Sequence, residues 1–473
     1  MYDVNSKCAD DFINHKEILD TLSYADENKN NREVIDALIQ KASLRKGLSH
    51  REASVLLACD DPELNKKIFR LAEQIKKDFY GNRIVLFAPL YLSNYCVNGC
   101  TYCPYHLKNK HIARKKLSQE EIRREVIALQ DMGHKRLALE AGEDPVHNTM
   151  DYYLDSIRTI YSIKHKNGAI RRVNINIAAT TVDNYRLLKE AEVGTYILFQ
   201  ETYHKESYLE LHPTGPKHDY NYHTEAMDRA MEGGIDDVGI GVLVGLDKYR
   251  YEFAGLLMHA EHLEAAFGVG PHTVSVPRLR NADDIDASAF SNGIDDDTFA
   301  KIVACIRIAV PYTGMIISTR ESQATRERVL HLGISQISGG SKTSVGGYCE
   351  PEPEDKRSEQ FDVIDNRTLD EVVQWLMKMD YIPSFCTACY REGRTGDRFM
   401  SLCKSGQIQN CCHPNALMTL EEYLMDYASP ETKRIGDILI DKEVMNVPNK
   451  KARAVVLENL KLIRENNRRD FRF

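Results

Sequence analysis

The chain lacks an apolar run of about 18 residues that would span a bilayer, and its mixed, charged start, MYDVNSKCADDFINHKEIL, lacks the apolar core of a signal peptide. It has no internal repeat, no low-complexity tract and no overall basic excess, since 62 basic and 70 acidic residues leave a net charge of −8. These absences leave no stretch that reads as a membrane-spanning helix and give no sign of a nucleic-acid or anionic-membrane surface, whose footprint is concentrated positive charge. The cytoplasm is the expected location. In that reducing compartment the twelve cysteines are not read as a disulfide framework. Eight of them fall into two groups far apart, while Cys8, Cys59, Cys305 and Cys349 are scattered and read as plain side chains.

With 473 residues the chain can bury a sizeable core. Residues 1–80 read as helices, with periodic apolar positions in Glu33–Lys46 and Glu63–Phe79. From Arg83 the texture changes to short β-branched runs separated by helical patterns. Eight runs are found: Ile84–Tyr91, Arg136–Leu139, Val173–Ala178, Tyr196–Phe199, Val238–Val244, Thr273–Val276, Met315–Ser318 and Ile334–Ile337. The helix Gln119–Met132 opens on a capping box of Ser118 and Glu121. Eight alternating units predict an α/β fold, a closed (β/α)8 barrel of the TIM type over 81–350, against the alternative of an open doubly wound sheet. The residues after each run are polar, charged or glycine-rich, so a central site is expected on that rim. EPEPEDKRSEQ reads as a linker, and 351–473 as a helical C-terminal domain with a Cys-rich stretch from Cys386 to His413.

The first cysteine group, Cys96-Val-Asn-Gly-Cys100-Thr-Tyr-Cys103, leaves the first predicted strand. Three thiolates within eight residues can converge on one metal centre, and a four-iron cubane so held keeps one iron open. A zinc site lacking its fourth ligand is the bland alternative. The CX3CX2C spacing, with Tyr102 before the last cysteine, resembles the radical S-adenosylmethionine (SAM) superfamily. That resemblance implies a 4Fe-4S cluster with SAM on its open iron, and Tyr102 beside the adenine. Gly142 and Glu143 resemble the element that receives the SAM amino group, although alanine replaces its first glycine. Gly239-Ile-Gly241 resembles the glycine-bearing strand beside the adenine, and Arg280 is a further candidate for SAM.

The second group is Cys386-Thr-Ala-Cys389 with Cys412 after twenty-two intervening residues, Cys403 between and Cys411 and His413 flanking. Spacing alone leaves structural zinc or a second iron–sulfur cluster open. Taken with the strand-end motifs, this triad resembles the tyrosine lyases of the superfamily, in the branch that matures FeFe-hydrogenase. The barrel also resembles the tyrosine lyase of thiazole (thiamine) biosynthesis, a 2-iminoacetate synthase, which lacks the terminal triad. A third possibility is an iron–sulfur carrier without SAM turnover, against which the eight loaded strand ends argue.

The resemblance implies cleavage of L-tyrosine to p-cresol and dehydroglycine, then formation of CO and cyanide as an Fe(CO)2CN-type synthon at a second Fe-S cluster bearing an additional labile iron. His272 is its candidate histidine, with His259 and His262 as competitors. An electron donor such as ferredoxin or flavodoxin and hydrogenase maturation partners are implied. From residue chemistry, Arg320 suits a bidentate carboxylate contact, unless Glu321 occupies it; Arg278 is an alternative. Ser338 and Ser341 offer donors to the substrate. Glu201, Tyr203 and His204 are proton-transfer candidates on the same rim.

Overall fold

In a computed structural model the described residues are 1–349, 358–447 and 449–473. The expected linker falls largely on 350–357, outside them. Eight parallel strands follow one another in order: β1 Arg83–Ser93, β2 Arg136–Ala141, β3 Arg172–Asn176, β4 Val193–Ile197, β5 Val238–Gly241, β6 Thr273–Ser275, β7 Gly314–Ile317 and β8 Gln336–Ser338. β8 pairs back onto β1, with Val85 opposite Gln336 and Phe87 opposite Ser338, so the barrel is closed. The open-sheet alternative fails on that pairing. β5 is shorter than expected because beyond Gly241 the backbone makes only isolated bridges, Val242 with Glu201 and Val244 with Arg278.

Helices form where caps and amphipathic spacing agree. Gln119–Met132 begins at Ser118, whose side chain accepts from Glu121 N while Glu121 accepts from Ser118 N, and it stops at the left-handed Gly133. Its inward face carries Ile122, Val126 and Leu129. The N-terminal helices His15–Asn28 and His50–Ala58 pack on each other and on Tyr249–Phe267. The last part of the chain is tied to the barrel through a ninth strand, β9 Ile382–Ser384, parallel to the start of β1 with Arg83 opposite Ile382.

The pleat sets what faces the lumen. On β1 the odd positions Arg83, Val85, Phe87, Pro89 and Tyr91 line interior cavities, and on β2 Arg136, Ala138 and Glu140 do so. Tyr91, Glu140 and Asn176 are register neighbours and form one layer near the carboxyl ends of the strands. Arg83, Arg136 and Arg172 open their strands at the opposite end.

Candidate active site

A chamber of about 1050 Å³, open to the surface, lies at the carboxyl ends of the strands. Cys96, Cys100 and Cys103 line it together with Tyr102, Gly142, Glu143, Glu201, Lys217, Arg280 and Arg320. The loop after β1 folds back tightly: Val97 N donates to Glu143 O (2.8 Å) and Gly142 N to Ser93 O (3.1 Å). Gly142 is required there, because a Cβ would stand 2.4 Å from Tyr95 O and 3.0 Å from the Cys96 Cβ. Asn98 organises the floor, its Nδ2 donating to Glu143 (2.7 Å) and its Oδ1 accepting from Lys217 N (3.0 Å). Burial raises all three thiols, Cys103 to about 12, so they are neutral until something positive joins them.

Glu201 and Lys217 pair at 2.9 Å across this chamber. Burial alone would lower the Lys217 ammonium, but Glu201 and Cys100 hold it above the ordinary lysine range. Glu201 has φ 68, a conformation that costs a non-glycine residue about 1 kcal/mol or more and that gathers at functional positions. Lys217 was missed in the sequence, since a lysine in the turn Thr214-Gly-Pro-Lys217 has no spacing signal. Tyr102 donates to or accepts from His212 Nε2 at 2.7 Å, which fixes its ring over the chamber wall.

A second cavity, the lumen, continues from the first and shares Glu140, Asn176, Phe199, Pro277, Arg320 and Gln360 with it. Glu321 does not occupy Arg320: it is held by Arg278 and by Arg280 Nη2 (2.5 Å). Arg320 instead stacks 3.6 Å above the Phe361 ring, and no described carboxylate lies within ion-pair distance. Burial lowers its affinity for the proton, partly offset by Tyr91, Glu201 and Glu140. Glu140 is likewise without an ion pair among the described residues, and burial pushes it up to about 8 against the pull of Arg320. A neutral acid and an unpaired guanidinium thus face one lumen.

This has a measurable consequence. Folded Glu140 keeps its proton until about pH 8, whereas the unfolded chain releases it near pH 4.3. Between those values the folded state binds more protons, so stability falls as pH rises through the window. The melting temperature of Glu140→Gln should therefore gain on wild type between pH 5 and pH 8.5; a pH-independent difference would refute a buried neutral carboxyl.

Several expected rim residues do not line the chamber. Tyr203 turns outward onto Tyr249–Phe267, its OH 2.9 Å from His259 Nδ1 and its Cβ against Gly255. His204 caps the helix Lys205–Leu211 and lies 3.1 Å from Asp247. Both come after the left-handed turn at Glu201, where the chain leaves the rim for the helix Lys205–Leu211. Gly241 sits in the barrel wall, where a Cβ would meet Ser275 O at 2.5 Å and Phe199 at 2.7 Å. Ser338 lines the lumen, whereas Ser341 is buried outside both cavities.

At the amino-terminal ends of the strands a third cavity of about 710 Å³ is lined by Cys386, Cys389, Cys403 and Cys412 with His272, Arg83, Arg136 and Arg172. The loop after β9 supplies Cys386, the short helix Ala388–Arg391 supplies Cys389, and the helix Gln409–Asp426 supplies Cys412. Arg136 Nη2 holds the Cys386 carbonyl at 2.8 Å. A hydrogen bond from Cys389 and the Arg83 charge favour Cys412 as a thiolate. His272 packs on Phe399 and lies 3.3 Å from Asp237. Its competitors are engaged elsewhere, His259 with Tyr203 and His262 between Val4 O (2.7 Å) and Asp228 (2.8 Å). Among the described residues no three His, Cys, Asp or Glu side chains converge closely enough for a single ion. The sulfurs surround a space instead.

Residues 90–257 match the radical SAM superfamily, and residues 275–382 the biotin and thiamin synthesis associated domain. A crystal structure of HydG, described as a maturase of the FeFe-hydrogenase, is 54% identical with a TM-score of 0.94, covering 98% of this chain and 100% of that one. The chain belongs to the HydG branch of the radical SAM superfamily. A second HydG structure, from Carboxydothermus hydrogenoformans, is 40% identical with a TM-score of 0.83 and covers 96% of this chain and 99% of its own. The 2-iminoacetate synthase of Salmonella typhimurium is 30% identical over 339 residues, 72% of this chain and 87% of the relative. Membership brings a 4Fe-4S cluster and SAM. The first chamber fits them: among the described residues it is lined by three cysteines and no fourth, together with polar groups.

Proposed function

We propose that the chain is a tyrosine lyase that cleaves L-tyrosine to p-cresol and dehydroglycine and turns the latter into CO and cyanide, for an Fe(CO)2CN-type synthon used in H-cluster assembly. The observation that carries this reading is the pair of cysteine-lined cavities at opposite ends of one barrel. Likeness to HydG over nearly the whole chain supports it.

In this reading Cys96, Cys100 and Cys103 hold the SAM-binding cluster, with Tyr102, Gly142, Glu143 and Arg280 around SAM and Gly241 thinning the wall behind it. The bound cluster and SAM supply a 5′-deoxyadenosyl radical. Arg320 holds the tyrosine carboxylate, with Ser338 as a lumen donor and Ser341 supporting the same turn. Glu140 faces the amino end of the substrate. Of the proton-transfer candidates, Glu201 is retained because it lines the chamber; Tyr203 and His204 act only through the packing around it. Cys386, Cys389 and Cys412 hold a second cluster, and His272 its additional iron. Arg83, Arg136 and Arg172 and the apolar side chains of that cavity exclude bulk water and favour anionic species. A ferredoxin or flavodoxin serves as electron donor, and hydrogenase maturation proteins receive the product.

Anaerobic protein supplied with reductant, SAM and tyrosine should yield 5′-deoxyadenosine and p-cresol, and about eight or nine irons should load per chain. No p-cresol would end this reading. The alternative, a 2-iminoacetate synthase of thiamine biosynthesis, is favoured by the Salmonella relative. It predicts p-cresol without CO, so trapping CO on deoxyhaemoglobin separates the two.

Arg320→Lys keeps the charge but loses the planar fork. Hydrogen bonds to charged groups contribute about 1.5–3 kcal/mol, so the tyrosine KM should rise roughly tenfold to a hundredfold. Tyrosine-independent SAM cleavage should be unchanged. An unaltered KM would remove Arg320 from the substrate site.

A further inference from the structure

The net charge of −8 conceals a local exception. Residues 106–116, HLKNKHIARKK, carry Lys108, Lys110, Arg114, Lys115 and Lys116 and no acid. They follow Cys103 after Pro104 and Tyr105 and are tied back to its loop, with His106 N donating to Cys103 O (3.1 Å) and Leu107 N to Asn98 O (2.8 Å). Two of the cations fasten the loop. Arg114 donates to the carbonyls of Asn94, Tyr105, His106 and Asn109 at 2.6–3.3 Å, and Lys116 bonds the His147 carbonyl and covers the Tyr152 ring.

Lys108 and Lys110 are exposed, and neither has a side-chain hydrogen bond or ion pair among the described residues, whereas half-buried Lys115 lies against Gly346 and in the field of Glu121. Asp283 and Asp284, which reach this loop, are engaged by Asn109 (3.0 Å) and His106 (3.2 Å). Beside the lysines stands Leu107, 57% exposed, and the neighbouring turn presents Val146, 78% exposed. Asn98 braces both loops, since it accepts Leu107 N and donates to Glu143. Exposed apolar side chains among unpaired lysines suit a small, transient contact steered by opposite charge. The position matters as much as the charge, because this face backs onto the Cys103 loop.

We propose that Leu107, Lys108, Lys110 and Val146 form the docking face for a small acidic one-electron carrier protein. One electron passes from the reduced carrier to the oxidised group held by Cys96, Cys100 and Cys103; no atom or proton is exchanged. This rests on the cysteine trio being the cluster site, and it adds where the donor binds.

The test compares two electron sources, photoreduced flavodoxin and dithionite, on the cluster-loaded full chain. Cluster reduction and 5′-deoxyadenosine are measured, so the outcome does not depend on tyrosine cleavage; failure of the lyase reading would show separately as no p-cresol from wild type with dithionite. Lys108→Glu with Lys110→Glu should slow flavodoxin-driven turnover at least about tenfold at low salt. The gap should shrink as added salt shortens the screening length, while dithionite-driven turnover stays within about twofold. An unchanged flavodoxin rate overturns the proposal. So does an equal loss with both donors, which would make the loop structural. Lys450→Glu with Lys451→Glu makes the same charge change on the exposed start of the C-terminal helix Lys450–Asn466. Equal slowing in that variant would also overturn the docking face, leaving only net charge.

Discussion

Cys386→Ser combined with Cys389→Ser is expected to leave p-cresol formation within about twofold of wild type and to remove most CO. Both sulfurs line the cavity at the amino-terminal ends of the strands, while every chamber residue proposed for SAM or tyrosine lies at or beyond the carboxyl ends. Substitutions that far apart and without shared partners act nearly independently. The loop that carries the two cysteines is anchored by its backbone, through Arg136 and the Cys386 carbonyl and through β9, so serine leaves the loop in place. CO trapped on deoxyhaemoglobin is the readout. Undiminished CO would sink the role proposed for this cavity, and p-cresol lost along with CO would mean that the two ends are not separable.

Cys96→Ala should remove both products. With two thiols the first chamber no longer holds a cubane by three corners, and 5′-deoxyadenosine formation should fall by about a thousandfold or more, the scale for deleting an essential group. Iron should drop from about eight or nine to about four or five per chain. The melting temperature of the metal-free protein should hardly move, because Cys96 is only half-buried and its loop is fixed by Val97, Asn98 and Gly142. Residual turnover near wild type would take Cys96 out of the ligand set.

Much of this architecture could be read from the chain. Eight β-branched runs gave eight strands because parallel barrel strands are buried and show as short apolar stretches whatever faces them. The cysteine groups were legible because their spacing is local. What could not be read is orientation. Tyr203 and His204 stand within three residues of Glu201 in the chain, yet they lie off the chamber beyond its left-handed turn, and nothing in Gln-Glu-Thr-Tyr-His announces a positive φ. Lys217 and Glu140 escaped notice for a related reason: a single charged residue gains meaning only from the partners that folding supplies or withholds. Arg83, Arg136 and Arg172 each look like a strand-flanking arginine in sequence. Only the closed barrel brings them beneath one floor.

Those arginines begin the strands whose far ends carry the Cys96 loop, Gly142 with Glu143, and Asn176. Each strand is a stiff rod that holds one part of each centre. A single residue inserted within β2 would reverse the facing of every side chain beyond it, turning either Arg136 or Glu140 out of the barrel. The two centres therefore cannot drift apart by small insertions in the strands between them. Length changes in relatives of this chain should be confined to the connections outside the barrel wall, and a variant that moves one centre must move the other with it.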